Sequence, residues 1–402
     1  MASLRETLEA LIGDIALAKQ KTEVLDLDVK GILADFSDLP DPRSHVNRRH
    51  ILGEIIVMSI MAVIAGAEGP KAIGLWAKNH ESWLMKLLSL PGGIPSHDTF
   101  GRVLMALKPA AFQACFERWL RRVSAKHDDG EREIIAIDGK TLRGSHDRAA
   151  GLGPLCLVSA WSVRRGISLG QLATDEKSNE ITAIPELLDT IDVNKAIVTI
   201  DAAGCQKSIA SQIYLSGGDY VLALKANQGG LHAAVVEYVN AQIEDNFKSA
   251  KARSYTERVN GHGRKDELAY YQMPMPHHLA GRAGWHGMQT IGVVVRMSER
   301  GDTFTSDVRY YISSLRMGVK LFAACARGHW GIENTLHWCL DVTFREDDCR
   351  VRNRILAENV AWLKRFAISL LKQVNDKESV AMRRRIAGWN PDYILKVLEI
   401  PA

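Results

Sequence analysis

The 402-residue chain is predicted to be an α/β protein with a mixed sheet flanked by helices, on three observations. Short apolar runs alternate with amphipathic helical stretches between residues 134 and 245, the grammar of an α/β core. The first of those runs are joined by short polar turns, so the early strands are expected to be antiparallel and the sheet mixed. A helical segment precedes this core, and a strand-rich, glycine-punctuated segment interrupts it at about 250–315.

Residues 1–125 read as a helical N-terminal domain. Residues 4–20 have helical spacing, and Pro40 and Pro42 mark turn chemistry across 35–50. Helices are expected from about His50 to Ile64 and from Pro70 to Asn79. Gly92, Gly93 and Pro95 break the pattern, and Ser96 or Asp98 can cap the next helix. Residues 109–122 supply another, with Pro109 in its first turn. Basic residues cluster at Arg43, Arg48, Arg49 and His50, and again at Arg118, Arg121 and Arg122. They suit a solvated face, or, on a sharper reading, a DNA contact.

The stretch 126–134 reads as a linker that opens a second domain, 126–372. Strands are expected at 134–138, 155–163, 167–174, 196–200 and 220–224, and helices at 180–188, 207–215 and 230–245. Asn179 and Glu180 suit a capping role at the start of the first of these helices. Residues 250–315 form the β-rich insertion. Helical spacing returns at about Leu321 and persists to 372, and 373–402 close the chain as a tail.

Composition narrows the function classes. With 46% hydrophobic and 24% charged residues, the chain can bury a core and is not intrinsically disordered. Its six cysteines include no C-x-x-C pair, which excludes a disulfide scaffold and suits a reducing cytosol. The most apolar run, 55–67, is too short for a membrane span of about 20 residues, so a cytoplasmic protein without a membrane partner is expected. A net charge of +4 permits a nucleic-acid partner without demanding one.

Two aspartates share one local setting. Asp138 ends the run IIAID, and Asp201 follows the run AIVTI. In open α/β sheets, function gathers beyond the carboxyl ends of strands. If the two strands are neighbours, these carboxylates lie close together and repel unless a cation offsets them. Two Mg²⁺ ions at such a site can activate a water or 3′-hydroxyl and stabilise the leaving oxygen of a phosphodiester. Either aspartate alone also fits a turn former or helix cap. A third carboxylate is available at Glu333, on a stretch where His329, Glu333 and His337 fall on one helical face and Trp330, Leu336 and Trp338 are expected to pack. Asp341, Glu346, Asp347 and Asp348 are further candidates that spacing does not rank.

The strings IDGKTLRGS (137–145), EKSNEITAIPELL (176–188), IVTIDAAGCQ (197–206), YVLALKANQ (220–228), GHGR (261–264), YYISSL (310–315) and HWGIENTLHWCLDVTFREDDCR (329–350) resemble transposases of the ISAs1 family, including the H-repeat-associated proteins, in the IS4-like group. The resemblance implies a ribonuclease-H-like fold and an acidic triad at Asp138, Asp201 and Glu333, which would be both catalytic and metal-binding. Against the wider group's Tyr-Arg-Glu-Lys signature, Ala326 stands at the Tyr position, His329 at the Arg position and Leu340 at the Lys position. The ISAs1-like family shares this His-Trp form.

The resemblance further implies two Mg²⁺ ions, with Mn²⁺ as a substitute. It implies double-stranded DNA partners at terminal inverted repeats and at the target, and a homodimer that holds two ends, nucleoid-associated when bound. Lys140, Arg143, Lys225, His262, Arg264, Arg327 and His329 are the residues read as DNA contacts. Arg350, Arg352, Arg354, Lys364, Arg365 and the 383–385 run make the later helical region basic. The expected activity is metal-dependent cleavage at element ends and strand transfer. A catalytically silent DNA-binding relic and a nuclease without strand transfer are the alternatives.

Overall fold

The computed structural model describes residues 31–124, 131–174, 180–244, 247–261, 264–301 and 303–398. They fall into two compact units. One contains Asp129–Leu142 and Gly151–Trp338; the other contains the remaining described residues, from both ends of the chain and from Arg143–Ala150.

The Asp129–Trp338 unit is built on a nine-stranded mixed sheet. Its strands are β1 (Ile134–Leu142), β2 (Leu155–Ser162), β3 (Ile167–Ala173), β4 (Ile197–Ile200), β5 (Asp219–Leu224), β6 (Arg253–Gly261), β7 (Arg264–Pro274), β8 (Thr290–Arg300) and β9 (Thr303–Ser313). Their spatial order is β3-β2-β1-β4-β5-β9-β8-β7-β6. The expected antiparallel start is present: β1 pairs antiparallel with β2, and β2 with β3. β4 then lies parallel to β1, and β5 parallel to β4. The strand-rich stretch does not form a separate sheet. β6 to β9 make an antiparallel meander whose last strand pairs with β5, so it continues the same sheet.

Helices cover both faces of β1, β4 and β5. Ile135, Ile137, Val198 and Ile200 pack on one face with Ile184, Leu187, Ile209, Ile213 and Val235 from the helices Glu180–Thr190, Lys207–Leu215 and Gly229–Glu244. Ile134, Ile197 and Val221 pack on the other with Phe322, Ala323 and Ala326 of the Val319–Ile332 helix. A strand buried on both faces reads as a continuous apolar run, which is why all four residues of β4 (IVTI) are buried.

In the other unit, the Leu52–Ile64 helix is buried nearly all round, as its apolar run requires. Its one acid, Glu54, accepts hydrogen bonds from the Ser89 amide (2.8 Å), the Ser89 hydroxyl (2.6 Å) and the Leu90 amide (3.2 Å). Ser96, rather than Asp98, caps the next helix by accepting from the Thr99 amide. Phe116 of the Pro109–Ser124 helix packs against Phe112 of its own helix and against Trp362 and Phe366 of the Arg354–Gln373 helix. Asn359 donates to the backbone carbonyls of Leu104 (2.7 Å) and Leu107 (3.0 Å).

These contacts draw residues from 339 onward into the unit of the N-terminal helices. The closing segment contains the helices Val380–Trp389 and Pro391–Leu398, with Ile394 and Val397 fully buried.

Candidate active site

The parallel register sets Ile137 of β1 beside Ile200 of β4. Asp138 and Asp201 are the next residues along each strand, so they sit side by side at about the 4.8 Å spacing of neighbouring strands. Side chains alternate along a strand. Ile134 and Ile197 face the Val319–Ile332 helix. Counting by twos from them, Asp138 and Asp201 fall on that same face. Local amides orient both carboxylates. Asp138 Oδ1 accepts from the Gly139 amide (2.9 Å), and Asp201 Oδ1 accepts from the amides of Ala203 (3.0 Å) and Gly204 (3.2 Å). The loop after Asp201 is tied down in turn, because Asn227 donates to the Ala202 carbonyl and Gln228 to the Cys205 carbonyl.

The Val319–Ile332 helix runs on into a π-helical segment, Glu333–His337, that begins at the candidate third acid. Such wider turns occur frequently at functional sites. Here the wider turn carries an exposed Glu333, a buried Leu336 and a half-buried His337. His337 Nδ1 lies 3.5 Å from Asp138 Oδ2. Trp330 packs as expected, with the Arg309 guanidinium 4.6 Å above its ring, whereas Trp338 is 57% exposed and is not a core residue.

A fourth carboxylate, which the sequence suggests only as a cap, enters from the opposite face. Glu180 begins the Glu180–Thr190 helix, and its carboxylate lies over Gly139. A Cβ at position 139 would collide with Glu180 Oε1 and sit 2.5 Å from Glu180 Cδ. Gly139 is out of phase with Asp138, so its missing side chain opens the strand to this helix. The string GKT after Asp138 is the available signal, but the partner of that glycine lies 41 positions away.

The electrostatics follow from this crowding. Burial, and then the neighbouring charges of Asp201, Glu180 and Glu333, push the Asp138 carboxyl up to about 7, with the Gly139 hydrogen bond opposing. Burial and Asp201 also raise Glu180. Clustered carboxylates are the hard oxygen donors that Mg²⁺ takes. Among the described residues, no three His, Cys, Asp or Glu side chains already converge as a closed coordination shell.

The other expected residues are distributed unevenly. Lys140 is buried in β1, Lys225 is exposed at the end of β5, and Arg143 is exposed. Arg327 pairs with Glu257. His262 lies outside the described residues, and of Arg264 only its backbone pairing with Gly261 is described. His329 departs from the expected phosphate contact. It is 7% exposed, its Nδ1 lies 3.3 Å from the Thr199 hydroxyl, and burial holds its ring down to about 4, hence neutral at pH 7.

The rival acids are otherwise engaged in their own unit. Buried Glu346 pairs with buried Arg365 at 2.9 Å, Asp347 lies 3.5 Å from Arg143, and Asp348 pairs with Arg345 at 2.9 Å. Several basic clusters are structural. Arg43 and Arg48 fold back on Asp41, and Arg118 donates to the Asp35 carbonyl. Lys364 is buried. Arg383 pairs with Asp376, and Arg384 donates to the Thr343 carbonyl and lies over Phe344.

Comparison with known proteins gives the family. Residues 129–371 match the family described as Transposase DDE domain, and residues 33–120 match the family described as DDE_Tnp_1-associated. The H repeat-associated putative transposase YhhI of Escherichia coli (strain K12) is 38% identical over 380 residues, covering 92% of this chain and 98% of that protein. The Putative transposase YncI of Escherichia coli O157:H7 is 38% identical over 377 residues, covering 92% and 95%. A solved piggyBac transposase, in a synaptic complex with hairpin DNA, covers 94% of this chain and 80% of that one. At 11% identity and a TM-score of 0.37 it is too distant to define the fold. With a matched DDE domain over more than half its length and transposase relatives along nearly all of it, the chain belongs to the DDE transposase family and is a DNA transposase.

Proposed function

We propose that Asp138, Asp201 and Glu333 form the acidic triad that cleaves DNA at the element's ends and joins the freed 3′-hydroxyl to target DNA. The observation that carries this reading is the placement of Asp138 and Asp201 at adjacent parallel strand ends, with Glu333 close enough to bear on the Asp138 carboxyl. The three acids would hold the divalent metal, Mg²⁺ with Mn²⁺ as a substitute and two ions in number. When bound, such ions offset the clustered negative charge and polarise the phosphodiester. The chain's own contribution is preorganisation. The Gly139, Ala203 and Gly204 amides fix one oxygen of each aspartate, and His337 Nδ1 faces the second oxygen of Asp138, so both carboxylates are held in orientation before a ligand arrives. Glu180 stands beside the triad as a further carboxylate of the same site.

Several wider readings accompany this one. The catalytic domain, 126–372, takes a ribonuclease-H-like fold, for which the β3-β2-β1-β4-β5 mixed sheet is the support. Residues 1–125 are the associated helical domain with a possible DNA contact, and 373–402 close the chain. The β-rich stretch at 250–315 and Lys225, with His262 and Arg264 from sequence alone, contribute DNA contacts. The working assembly is a homodimer on two terminal inverted repeats in the cytoplasm, at the nucleoid. Among the described residues, no helix is long and apolar enough to cross a membrane.

The test is a cleavage and joining assay on duplexes carrying the element's own ends, in Mg²⁺ and in Mn²⁺. Asp138→Asn, Asp201→Asn and Glu333→Gln should each abolish both steps while DNA binding persists. Activity surviving Glu333→Gln would overturn the choice of third acid.

A further inference from the structure

A basic groove lies wholly within the unit that contains Arg143–Ala150 and the residues from Cys339 onward. Residues Arg143–Ala150 leave the sheet and join this unit, where they meet the stretch from 345 to 352. The two segments form a groove of about 960 Å³. Their meeting is close-packed: a Cβ on Gly144 would collide with the Cys349 carbonyl and sit 2.8 Å from the Asp347 carbonyl. The two segments are thus held by backbone packing as well as by the Arg143–Asp347 pair.

Arg143, His146, Arg148, Arg345, Arg350 and Arg352 line the groove, and all six are exposed. Two carboxylates share it, and each has an arginine partner. Asp347 faces Arg143 (3.5 Å), and Asp348 faces Arg345 (2.9 Å). Among the described residues, no ion pair or hydrogen bond ties the side chains of Arg148, Arg350 or Arg352. Three guanidinium groups thus remain for an outside anion. The guanidinium fork suits phosphate oxygens, to which it can donate two parallel hydrogen bonds.

We infer that this groove binds the sugar–phosphate backbone of duplex DNA, holding it without reading its bases. The size argues for a polymer: a single phosphate would fill a small fraction of about 960 Å³. The openness of three arginines on two loops suits a run of phosphates rather than one enclosed ion. The lining has no Asn or Gln to read adenine edges, and Arg148, Arg350 and Arg352 lie on loops rather than on a helix or ribbon that could enter a major groove. The sequence marks Arg350 and Arg352 as part of a broad basic region. Burial separates them from Lys364, Arg365, Arg383 and Arg384, which serve the fold.

The inference rests on the chain being a DNA transposase, and its test separates the two. The full-length protein is titrated against fluorescent end duplex and scrambled duplex across a salt series. In parallel, wild-type cleavage of the end duplex is measured with Mg²⁺. Each phosphate no longer neutralised lowers the slope of log affinity against log salt by about 0.9. Arg148→Ala/Arg350→Ala/Arg352→Ala should reduce that slope by about 2–3 and weaken binding about 10–100-fold at moderate salt, equally on both duplexes. The matching triple Lys variant should recover most of the slope, since it restores the charge. Melting curves of both variants should overlay the wild type, because the replaced side chains are exposed. An unchanged slope in the Ala variant, with the wild type binding and cutting, would overturn the groove and leave the transposase intact. A loss confined to the end duplex would overturn backbone binding in favour of base readout. A wild type that neither binds nor cuts any duplex would overturn the underlying reading, and the groove with it.

Discussion

Asp138→Asn should make the metal-free protein more stable above neutral pH. The Asp138 carboxyl has its folded-state titration pushed from 3.8 up to about 7, first by burial and then by Asp201. Between those two values the folded protein keeps a proton that the unfolded chain has already released. Stability contributed by this group therefore falls as pH rises through that window, and above about pH 7 the full penalty of a buried, crowded charge is present. A displacement of this size corresponds to a penalty on the order of 4 kcal/mol at pH 8. Asparagine carries no charge and retains an oxygen to accept from the Gly139 amide, so a gain of about 2–4 kcal/mol is expected. In a unit of roughly 200 residues that is a rise in melting temperature of about 5–10 °C.

The assay is calorimetric melting of both proteins in EDTA from pH 4 to pH 8.5. The two should melt together near pH 4 and diverge as pH rises. Mg²⁺ at pH 8 should raise the wild type and leave the Asn variant nearly unmoved, closing the gap. A variant that melts at or below the wild type at pH 8 in EDTA would refute the electrostatic argument.

Further outcomes follow from neighbouring contacts. Gly139→Ala should fold normally, because the strand backbone there is ordinary and an alanine costs nothing conformationally. The new methyl must drive the Glu180 carboxylate back by more than about 1 Å, and end cleavage should fall about 100-fold, read by single-turnover kinetics. His329→Arg should place a guanidinium in a 7% exposed position against Thr199. It should destabilise the protein by about 3 kcal/mol or more in chemical unfolding rather than strengthen DNA binding. Glu346→Gln should leave Arg365 buried without its ion partner, costing about 3–5 kcal/mol, whereas Glu346→Leu/Arg365→Met should be close to neutral.

Much of the site is legible because strand chemistry is local. The apolar runs IIAI and AIVTI each announce a buried strand, and each stops at an aspartate whose charge the core excludes. That the two strands are neighbours is only a condition in the sequence; the pairing of β1 with β4 supplies it. The third acid is not local: resemblance, rather than spacing, separates Glu333 from Glu346, Asp347 and Asp348. The structure adds the physical distinction, since the last three already have arginine partners. Glu180 escapes the sequence because its proximity depends on an absent side chain at Gly139, which leaves no periodic mark. His329 misleads for the opposite reason. A polar residue on a helix reads as surface unless its partner is known, and that partner, Thr199, sits on β4 130 positions away. The basic clusters near the C-terminal end are equally ambiguous. Lys364 and Arg365 fall on the buried side of their helix, while Arg350 and Arg352 precede it on an exposed loop.

The measurement closest to the central claim is single-turnover cleavage of end duplex by Asp138→Asn, Asp201→Asn, Glu333→Gln and the triple variant, at fixed Mg²⁺ with the bound fraction matched. Residues that act as one unit are strongly non-additive, so each single change should remove nearly as much rate as all three together. Single variants with modest, independent losses that multiply up to the triple would contradict a shared acidic site.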